Sequence, residues 1–243
     1  MILGTDEPIA IAAVKAIHEG DTHSLKQLLA DHPALATAAL GTEGGMIRTL
    51  LHVATDWPGH FPNGSTTVAV LVAAGADVNA RFTGPHTETP LHWAASSDDV
   101  AVLDALLDAG ADIEARGAVI AGGTPMADAT AFGQWKVARR LLERGANTTM
   151  WEAAALGLLD RVKSEFAPDP PPSIEDVTGA LWGACHGGHL AVAEFLVDQG
   201  ADINWVGWDD LTSLDVAERS ASDDVSNWLR GLGAKSAEEL KRD

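Results

Sequence analysis

The sequence predicts an all-α solenoid of about seven helix-turn-helix units joined by short β-hairpin fingers. Three observations support this fold class: a seven-residue phrase recurs along the chain, alanine-rich segments recur with it, and glycine closes most of the copies. The clearest copy of the phrase runs from Thr89 to Ala95 and reads TPLHWAA. A period of roughly 20 to 50 residues indicates stacked units, because one such unit cannot bury its apolar face without neighbours.

The spacing of the copies sets the domain organisation. An alanine five residues after the start of the phrase places the starts near residues 11, 49, 89, 124, 148, 179 and 212. The interval between 124 and 148 is the shortest and leaves no room for a full finger. A proline-rich segment, 168–173, cannot be helical, but the pattern resumes over residues 174–204. We therefore expect a single array over residues 1–243 rather than two domains.

Each element of the unit follows from its residue types. The alanine-rich part of the phrase predicts a first helix that packs close to its neighbours, since alanine has little bulk and the highest helix propensity. Paired aliphatic residues such as Leu106 and Leu107 predict a second helix. Gly110 ends that helix, because the left-handed conformation that follows a last turn costs glycine least. Asp112 then suits the turn into the next finger.

The phrase and the segments that close the copies resemble ankyrin repeats, whose unit of about 33 residues carries a Thr-Pro-Leu-His-x-Ala signature. The copy from Thr89 to Ala115 is the most similar, and related closing segments lie at 75–80 and 200–204. The resemblance covers almost the whole chain. It implies an ankyrin-repeat solenoid that binds a partner. It also implies that the partner-facing positions are the fingertips just before each phrase and the two residues just after it.

The largest insertion lies in the second copy, where residues 56–65 replace the short turn between two helices. Two prolines, two glycines and Asn63 predict a structured loop rather than a longer helix. Within the loop, Trp57 and Phe61 flank His60. Loops on rigid scaffolds carry binding residues disproportionately often, so we expect this loop to contribute to a site.

The resemblance and the inserted loop together predict one polar and aromatic cluster over the second and third copies, with a further aromatic position in the fourth. The predicted binding residues are Arg48, Asp56, Trp57, His60, Phe61, His86, Glu88, Ser96, Ser97 and Phe132. The finger at 117–123 is apolar and glycine-rich, and we expect it to cover the edge of this cluster.

The histidines divide into two classes. His52 and His92 occupy the histidine position of the phrase, where the resemblance implies a ring that hydrogen-bonds to finger backbone, so we expect a structural role. His60 and His86 lie outside the phrase, and with neighbouring carboxylates they include the residue types of a zinc or iron site and of acid–base catalysis. No pair has the tight His-x-x-x-His spacing, and no phosphate loop or nucleophile elbow is present. We therefore expect no metal, no cofactor and no catalytic residue.

Charge and cysteine content limit the partner and the compartment. With 35 acidic and 16 basic residues, the formal net charge of -19 repels phosphate backbones and anionic membranes and favours a basic protein or a cationic ligand. An acidic surface also serves solubility. Cys185 is the single cysteine, so an internal disulfide is excluded and a reducing compartment is expected. No membrane span or secretory signal is readable, and these features together predict a cytoplasmic protein.

Three functions remain open. We favour a protein-interaction module that binds another protein or peptide, preferably basic, with its concave groove and fingertips. The alternative is a small-molecule or metal-binding pocket, with enzymatic activity as an option, formed by the inserted loop 56–65 over the second and third copies. A purely structural spacer is the third. Trp205 and Trp208, in the sixth finger, are predicted either to anchor a partner or to cover the apolar end of the stack.

Overall fold

The helices of the chain follow one another in pairs, as the repeated phrase predicts. The computed structural model describes residues 1–242. Its tertiary contacts divide the chain into two units, Met1–Ala146 and Asn147–Asp243. The division falls within the shortest interval between copies, where residues 144–149 alone join two helices. The single array over residues 1–243 and the number of seven repeats stay predictions.

In the first unit, the first helix of each pair contains the alanines of a phrase, and the second contains the paired aliphatic residues. The described residues of this unit form the helices α1 (Pro8–Glu19), α2 (Thr22–Asp31), α3 (Leu50–Thr55), α4 (Gly64–Ala73), α5 (Pro90–Ser96), α6 (Val100–Asp108), α7 (Pro125–Ala131) and α8 (Trp135–Glu143). A short 3-10 turn, Pro33–Thr37, follows α2.

The second unit continues the pattern of pairs. Its described residues form the helices α9 (Met150–Ala155), α10 (Leu159–Ser164), α11 (Ile174–Gly187), α12 (Leu190–Asp198), α13 (Ser213–Arg219), α14 (Asp223–Gly231) and α15 (Ala237–Leu240). Helix α11 begins directly after the proline-rich segment, because Ser173 caps it: the Ser173 hydroxyl oxygen accepts a hydrogen bond from the N–H of Asp176 at 3.1 Å. A 3-10 turn, Trp208–Asp210, lies in the sixth finger.

The fingers differ in how much strand they contain. In the first finger, β2 (Ala39–Gly41) and β3 (Ile47–Thr49) form an antiparallel hairpin, and β1 (Ile2–Leu3) pairs with β2 in parallel. Later fingers are turns closed by backbone hydrogen bonds, such as the one from Phe82 N–H to the carbonyl oxygen of Glu88 at 2.8 Å. Glycine and proline in these fingers disfavour strands. Among residues 1–242, the predicted hairpin fingers therefore form paired strands only in the first, apart from one isolated bridge.

The core follows the two helices of each pair. The fully buried leucines and methionine in the helices of the first unit include Leu51, Leu91 and Met126 in first helices and Leu25, Leu71, Leu106 and Leu141 in second helices. The predicted helix-ending glycines have φ between +85° and +100°: Gly75, Gly110, Gly145, Gly200 and Gly233. Cys185 is buried, and burial raises the pKa of its thiol to about 12. No helix within residues 1–242 has both the length and the apolar character needed to cross a bilayer.

Candidate functional site

His52 and His92 each connect their own phrase to the finger that follows it. The backbone N–H of Thr49 donates to Nδ1 of His52 at 3.2 Å, so the ring proton lies on Nε2, which is 3.2 Å from the carbonyl oxygen of Glu88. His92 makes the corresponding contacts one copy later, at 3.1 Å and 3.4 Å. Burial is the main cause that lowers the pKa of both rings to about 4. The predicted structural role of these histidines is confirmed.

Glu88 lies at the centre of a buried, hydrogen-bonded cluster at the second finger. Its side chain is 6% exposed, and its Oε2 lies 2.8 Å from Nδ1 of His86. The same oxygen accepts a hydrogen bond from the indole N–H of Trp93 at 2.8 Å. Oε1 accepts a hydrogen bond from the backbone N–H of Val119 at 3.3 Å. Both carboxylate oxygens are therefore engaged within the protein.

Asp128 on α7 adds a second acid to this cluster. Its side chain is fully buried, and its Oδ2 has no hydrogen-bond partner among the described residues. Burial and then the neighbouring Glu88 raise the pKa of Asp128 well above its ordinary value. The raised pKa favours the protonated form of the Asp128 carboxyl group at neutral pH.

The third finger, 117–123, covers the two acids with its backbone. The N–H of Val119 donates to Glu88, and the N–H of Ile120 donates to Oδ1 of Asp128 at 3.4 Å. The expectation that this finger covers the edge of the cluster is thus confirmed, although backbone groups rather than apolar side chains make the contacts. Sequence reasoning missed Asp128. The available signal was an acidic residue inside a phrase helix, at the same phrase position as Trp93.

His86 packs on one member of an aromatic group in the second finger. Its ring stacks on that of Phe82 with centroids 4.8 Å apart and planes at 28°. Phe82 also lies 5.5 Å from Trp93 and 6.4 Å from His52, measured between ring centroids. His86 is therefore held between a phenyl ring and the carboxylate of Glu88, and 23% of its side chain remains exposed.

Arg48 and Asp56 form an ion pair that spans helix α3. Arg48 precedes the helix and Asp56 follows it, and the atoms Nη1 and Oδ2 are 2.5 Å apart. Arg48 also borders an open groove of about 440 Å³, whose other wall includes His18 of α1. This groove involves the first and second copies, whereas the sequence analysis places the alternative pocket over the second and third.

The inserted loop is attached to the copies on both of its sides. Towards the first copy, the side-chain amide of Asn63 donates to a carbonyl oxygen of the turn after α1 at 2.9 Å. The ring of Phe61 stacks on that of His18 with centroids 4.5 Å apart. Towards the third copy, the backbone N–H of His60 donates to Oδ2 of Asp99 at 2.9 Å. The prediction of a structured loop is confirmed.

The loop also packs closely against the predicted serines. Gly59 has a φ of +71°, and a Cβ at this position would lie 2.7 Å from Cβ of Ser97, so only glycine fits. The Ser97 hydroxyl donates to the carbonyl oxygen of Thr55 at 3.5 Å. The Ser96 hydroxyl donates to the carbonyl oxygen of His92 at 3.1 Å. Both serines therefore have partners within the fold.

The predicted site residues with the largest exposed fractions are aromatic or histidine. Trp57 is 79% exposed and Phe132 is 47% exposed, and 60% of the His60 side chain is exposed. His60 and His86 belong to separate groups, since the first lies beside an aspartate and the second beside a glutamate. Within residues 1–242, no three His, Cys, Asp or Glu side chains are arranged to hold a metal ion.

Family models match most of the residues that carry the repeated phrase. Residues 9–117 and 63–151 match a family model described as ankyrin repeats in three copies, and residues 180–208 match a model of the ankyrin repeat. The chain belongs to the ankyrin repeat family. The resemblance inferred from the phrase and the predicted fold class are both confirmed. Ankyrin repeats are in general protein-interaction modules.

Two relatives are much longer than this chain. An ankyrin repeat and KH domain-containing protein of Caenorhabditis briggsae is 34% identical over 185 residues, which cover 72% of this chain and 7% of that protein. Alpha-latrocrustotoxin-Lt1a of Latrodectus tredecimguttatus is 26% identical over 175 residues, which cover 72% of this chain and 10% of the toxin. The chain therefore spans a small part of each relative.

A solved structure supports the fold. The ankyrin repeat domain of human ASB11 is similar to this chain with a TM-score of 0.54, and the match covers 92% of this chain and 97% of that domain. The two sequences are 21% identical, so the likeness concerns the ankyrin fold alone.

Proposed function

We propose that this ankyrin repeat chain is a protein-interaction module whose first unit binds another protein or peptide through its groove and fingertips, over the second to fourth copies. One observation carries the proposal: Trp57 is 79% exposed on a loop that is attached to both neighbouring copies through Asn63 and His60. A large aromatic side chain on a rigid support loses little entropy on binding, and such residues dominate interface energetics.

Two further exposed side chains extend this surface. Phe132, at the end of α7, is 47% exposed, and Val119 in the third finger is 52% exposed. The hydrogen bond from the Val119 N–H to buried Glu88 fixes the finger that presents this valine. The buried acids therefore support the proposed surface from beneath, while the partner contacts the exposed apolar side chains.

We propose a basic partner and a cytoplasmic location. The net charge of -19 attracts cationic surfaces and accelerates their association, and it disfavours nucleic acid and anionic membranes. The single cysteine, Cys185, is buried with a raised pKa, which suits a reducing compartment in which no disulfide is needed. We also retain the single array over residues 1–243 as part of this proposal.

Affinity capture from a lysate of the native organism, with quantification of the bound proteins, tests the first unit as the binding surface. Wild type is compared with a Trp57→Ala, Phe132→Ala double variant. We expect the bound partner to fall at least about ten-fold, because truncation of an interface hot spot costs about 2 kcal/mol or more and ten-fold corresponds to about 1.4 kcal/mol. Leu232→Ala, a matched change at an exposed apolar residue of the second unit, should retain the partner. Equal capture by wild type and the double variant would contradict the proposal.

A small-molecule site is the second candidate. One observation favours it, namely the groove of about 440 Å³ beside Arg48 and His18, since its volume lies within the usual range of ligand pockets, roughly 300 to 1,000 Å³. Lys15 and Arg48 line the groove and would attract an anionic group, for which Arg48 would exchange its ion pair with Asp56. His18 would stack on a planar group. A melting screen with metabolite classes tests this candidate. A ligand shift that persists after the double change Lys15→Ala, Arg48→Ala, which removes both cationic side chains of the groove, would place the ligand elsewhere.

A further inference from the structure

A pocket of about 730 Å³ opens in the second unit between the proline-rich segment 168–173 and three indole rings. The rings belong to Trp151 on α9 and to Trp205 and Trp208 in the sixth finger. Trp208 meets Trp151 at 5.9 Å and 81°, and it meets Trp205 at 5.4 Å and 84°, so both contacts are edge to face. The indole walls therefore stand nearly at right angles, an arrangement that can surround a compact group.

Trp208 rests on a buried base although 52% of it is exposed. Its ring lies 5.3 Å from that of Trp182, which is 4% exposed. The Trp182 indole N–H donates to the carbonyl oxygen of Leu211 at 3.1 Å, which fixes this ring at the finger. Gly179 passes close beneath, since a Cβ there would lie 3.4 Å from Cη2 of Trp208. The exposed indole surface is thus supported by packed groups.

The same pocket is acidic. Its lining contains the carboxylates of Glu165, Glu175 and Asp176 and, among the residues that the structure describes, no lysine or arginine. Asp176 is occupied by helix capping, because its Oδ2 accepts a hydrogen bond from the Ser173 hydroxyl at 2.6 Å. Glu165 and Glu175 are exposed, and no other residue within 1–242 hydrogen-bonds or ion-pairs with their side-chain carboxylates. Two carboxylates are therefore available beside the indole rings.

This combination of groups selects one kind of ligand. Indole faces attract cations, and carboxylates accept charge-assisted hydrogen bonds from them. A guanidinium group satisfies both, because it is planar, stacks on aromatic rings, is weakly hydrated and donates hydrogen bonds in a fork. The net charge of -19 further favours a cationic ligand over an anionic one. Prolines along the rim offer apolar contacts to the remainder of a peptide.

We propose that this pocket binds an arginine side chain of a partner peptide. The guanidinium group lies against the indole rings of Trp151, Trp205 and Trp208, and the carboxylates of Glu165 and Glu175 accept its hydrogen bonds. The site lies in the second unit, so it goes beyond the function proposed for the first unit and does not depend on it. Its failure and the failure of that function are measured separately.

Titration of the full chain with N-acetyl-arginine amide tests the pocket directly. The indole N–H signals of the eight tryptophans are followed by NMR in ¹⁵N-labelled protein. We expect the signals of Trp151, Trp205 and Trp208 to shift, and that of exposed Trp57 in the first unit to stay in place. N-acetyl-citrulline amide, a neutral analogue of similar shape, should bind at least about five-fold more weakly, because it lacks the cation–π and ionic contributions.

Variants assign the binding to these residues. Trp208→Ala and the double variant Glu165→Gln, Glu175→Gln should each raise the dissociation constant of the arginine amide at least about five-fold. Trp57→Ala should leave it unchanged. The two glutamates are exposed and the substitutions are nearly isosteric, so this double variant remains a test even when Trp208→Ala does not fold.

Three results would overturn the proposal. Equal binding of the citrulline amide would show that charge plays no part. Binding of tetramethylammonium without binding of the arginine amide would assign the pocket to a quaternary ammonium group instead. If the indole N–H signals do not shift even at arginine amide concentrations high enough to saturate a weak site, the tryptophans have the alternative role, which is to cover the apolar end of the stack.

Discussion

Tryptophan and carboxylate side chains meet in both units of this protein, but their surroundings differ. In the first unit, Glu88 is buried beside Trp93, and both of its oxygens have partners. In the second unit, Glu165 and Glu175 are exposed beside Trp208, and their oxygens have no partner among residues 1–242. Burial with satisfied hydrogen bonds makes such groups part of the fold, whereas exposure without partners leaves them available to a ligand.

The largest expected effect on stability is that of a substitution in the buried cluster, Glu88→Ala. This substitution removes the acceptor of the Trp93 and Val119 N–H groups and leaves both of these donors without it. We expect the free energy of unfolding of the first unit to fall by about 4 kcal/mol in urea titrations.

The matched change on the exposed side is Glu175→Ala in the second unit. Its carboxylate has no partner within the described chain, so the free energy of unfolding should change by less than about 0.5 kcal/mol. Similar losses in the two variants would show that burial does not separate the two clusters.

Acid should destabilise the first unit through its buried histidines. The pKa of His52 and His92 is lowered to about 4 in the folded protein from an ordinary value of 6.5. Between these values the unfolded chain binds protons that the folded chain does not, so stability that is present above pH 6.5 is lost as the pH falls towards 4. Protonation of Asp128 adds stability over the same range, so the histidines are tested in an Asp128→Asn background. There we expect a loss of about 2 kcal/mol over the first pH unit below 6.5, measured as urea midpoints across a pH series. A constant midpoint over this range would contradict neutral, buried rings.

Alkaline pH should destabilise the same unit through Asp128. Its pKa is raised in the folded state above 3.8, so its contribution is complete below that value and is lost as the pH rises through the folded pKa. Asp128→Asn keeps a side chain of similar size without a titrating proton. Between neutral and alkaline pH, the free energy of unfolding should therefore fall less steeply in this variant than in wild type, with a difference of about 1 kcal/mol per pH unit. Thermal midpoints measured across this pH range follow the difference. Parallel curves would show that the pKa of Asp128 is not raised in the folded protein.

The smallest effect on stability is expected at the exposed aromatic residues of the first unit. Trp57→Ala and Phe132→Ala remove side chains that are 79% and 47% exposed, so each should change the free energy of unfolding by less than about 0.5 kcal/mol. The same changes should abolish most partner binding. A large loss of stability at Trp57 would assign this residue to the fold, as at Glu88.

Local pattern predicted much of the fold. The phrase from Thr89 to Ala95 predicted the helix pairs, because each position in it serves packing or backbone hydrogen bonding within one repeat and its neighbour. The structural role of His52 and His92 followed from the same positions. Prolines and glycines likewise predicted that residues 56–65 form a structured loop.

The site was less predictable because its chemistry depends on distant contacts. Glu88 lies forty residues from Asp128 in the sequence, and nothing local to either residue indicates that the pKa of Asp128 is raised. The stacking of His86 on Phe82 depends on the course of the second finger. Residue types indicated that carboxylates and aromatic rings would matter. Whether such a group stabilises the fold or is available to a ligand depends on its burial and its hydrogen-bond partners, which follow from tertiary structure.

One pair of variants tests the central claim most directly: Glu88→Gln and Glu175→Gln, each measured for its urea midpoint and for its affinity for N-acetyl-arginine amide. We expect Glu88→Gln to lower the midpoint and leave the affinity unchanged, and Glu175→Gln to lower the affinity and leave the midpoint unchanged. Glu88→Gln with an unchanged midpoint, or Glu175→Gln with an unchanged affinity, would contradict the separation of a structural cluster in the first unit from a binding pocket in the second.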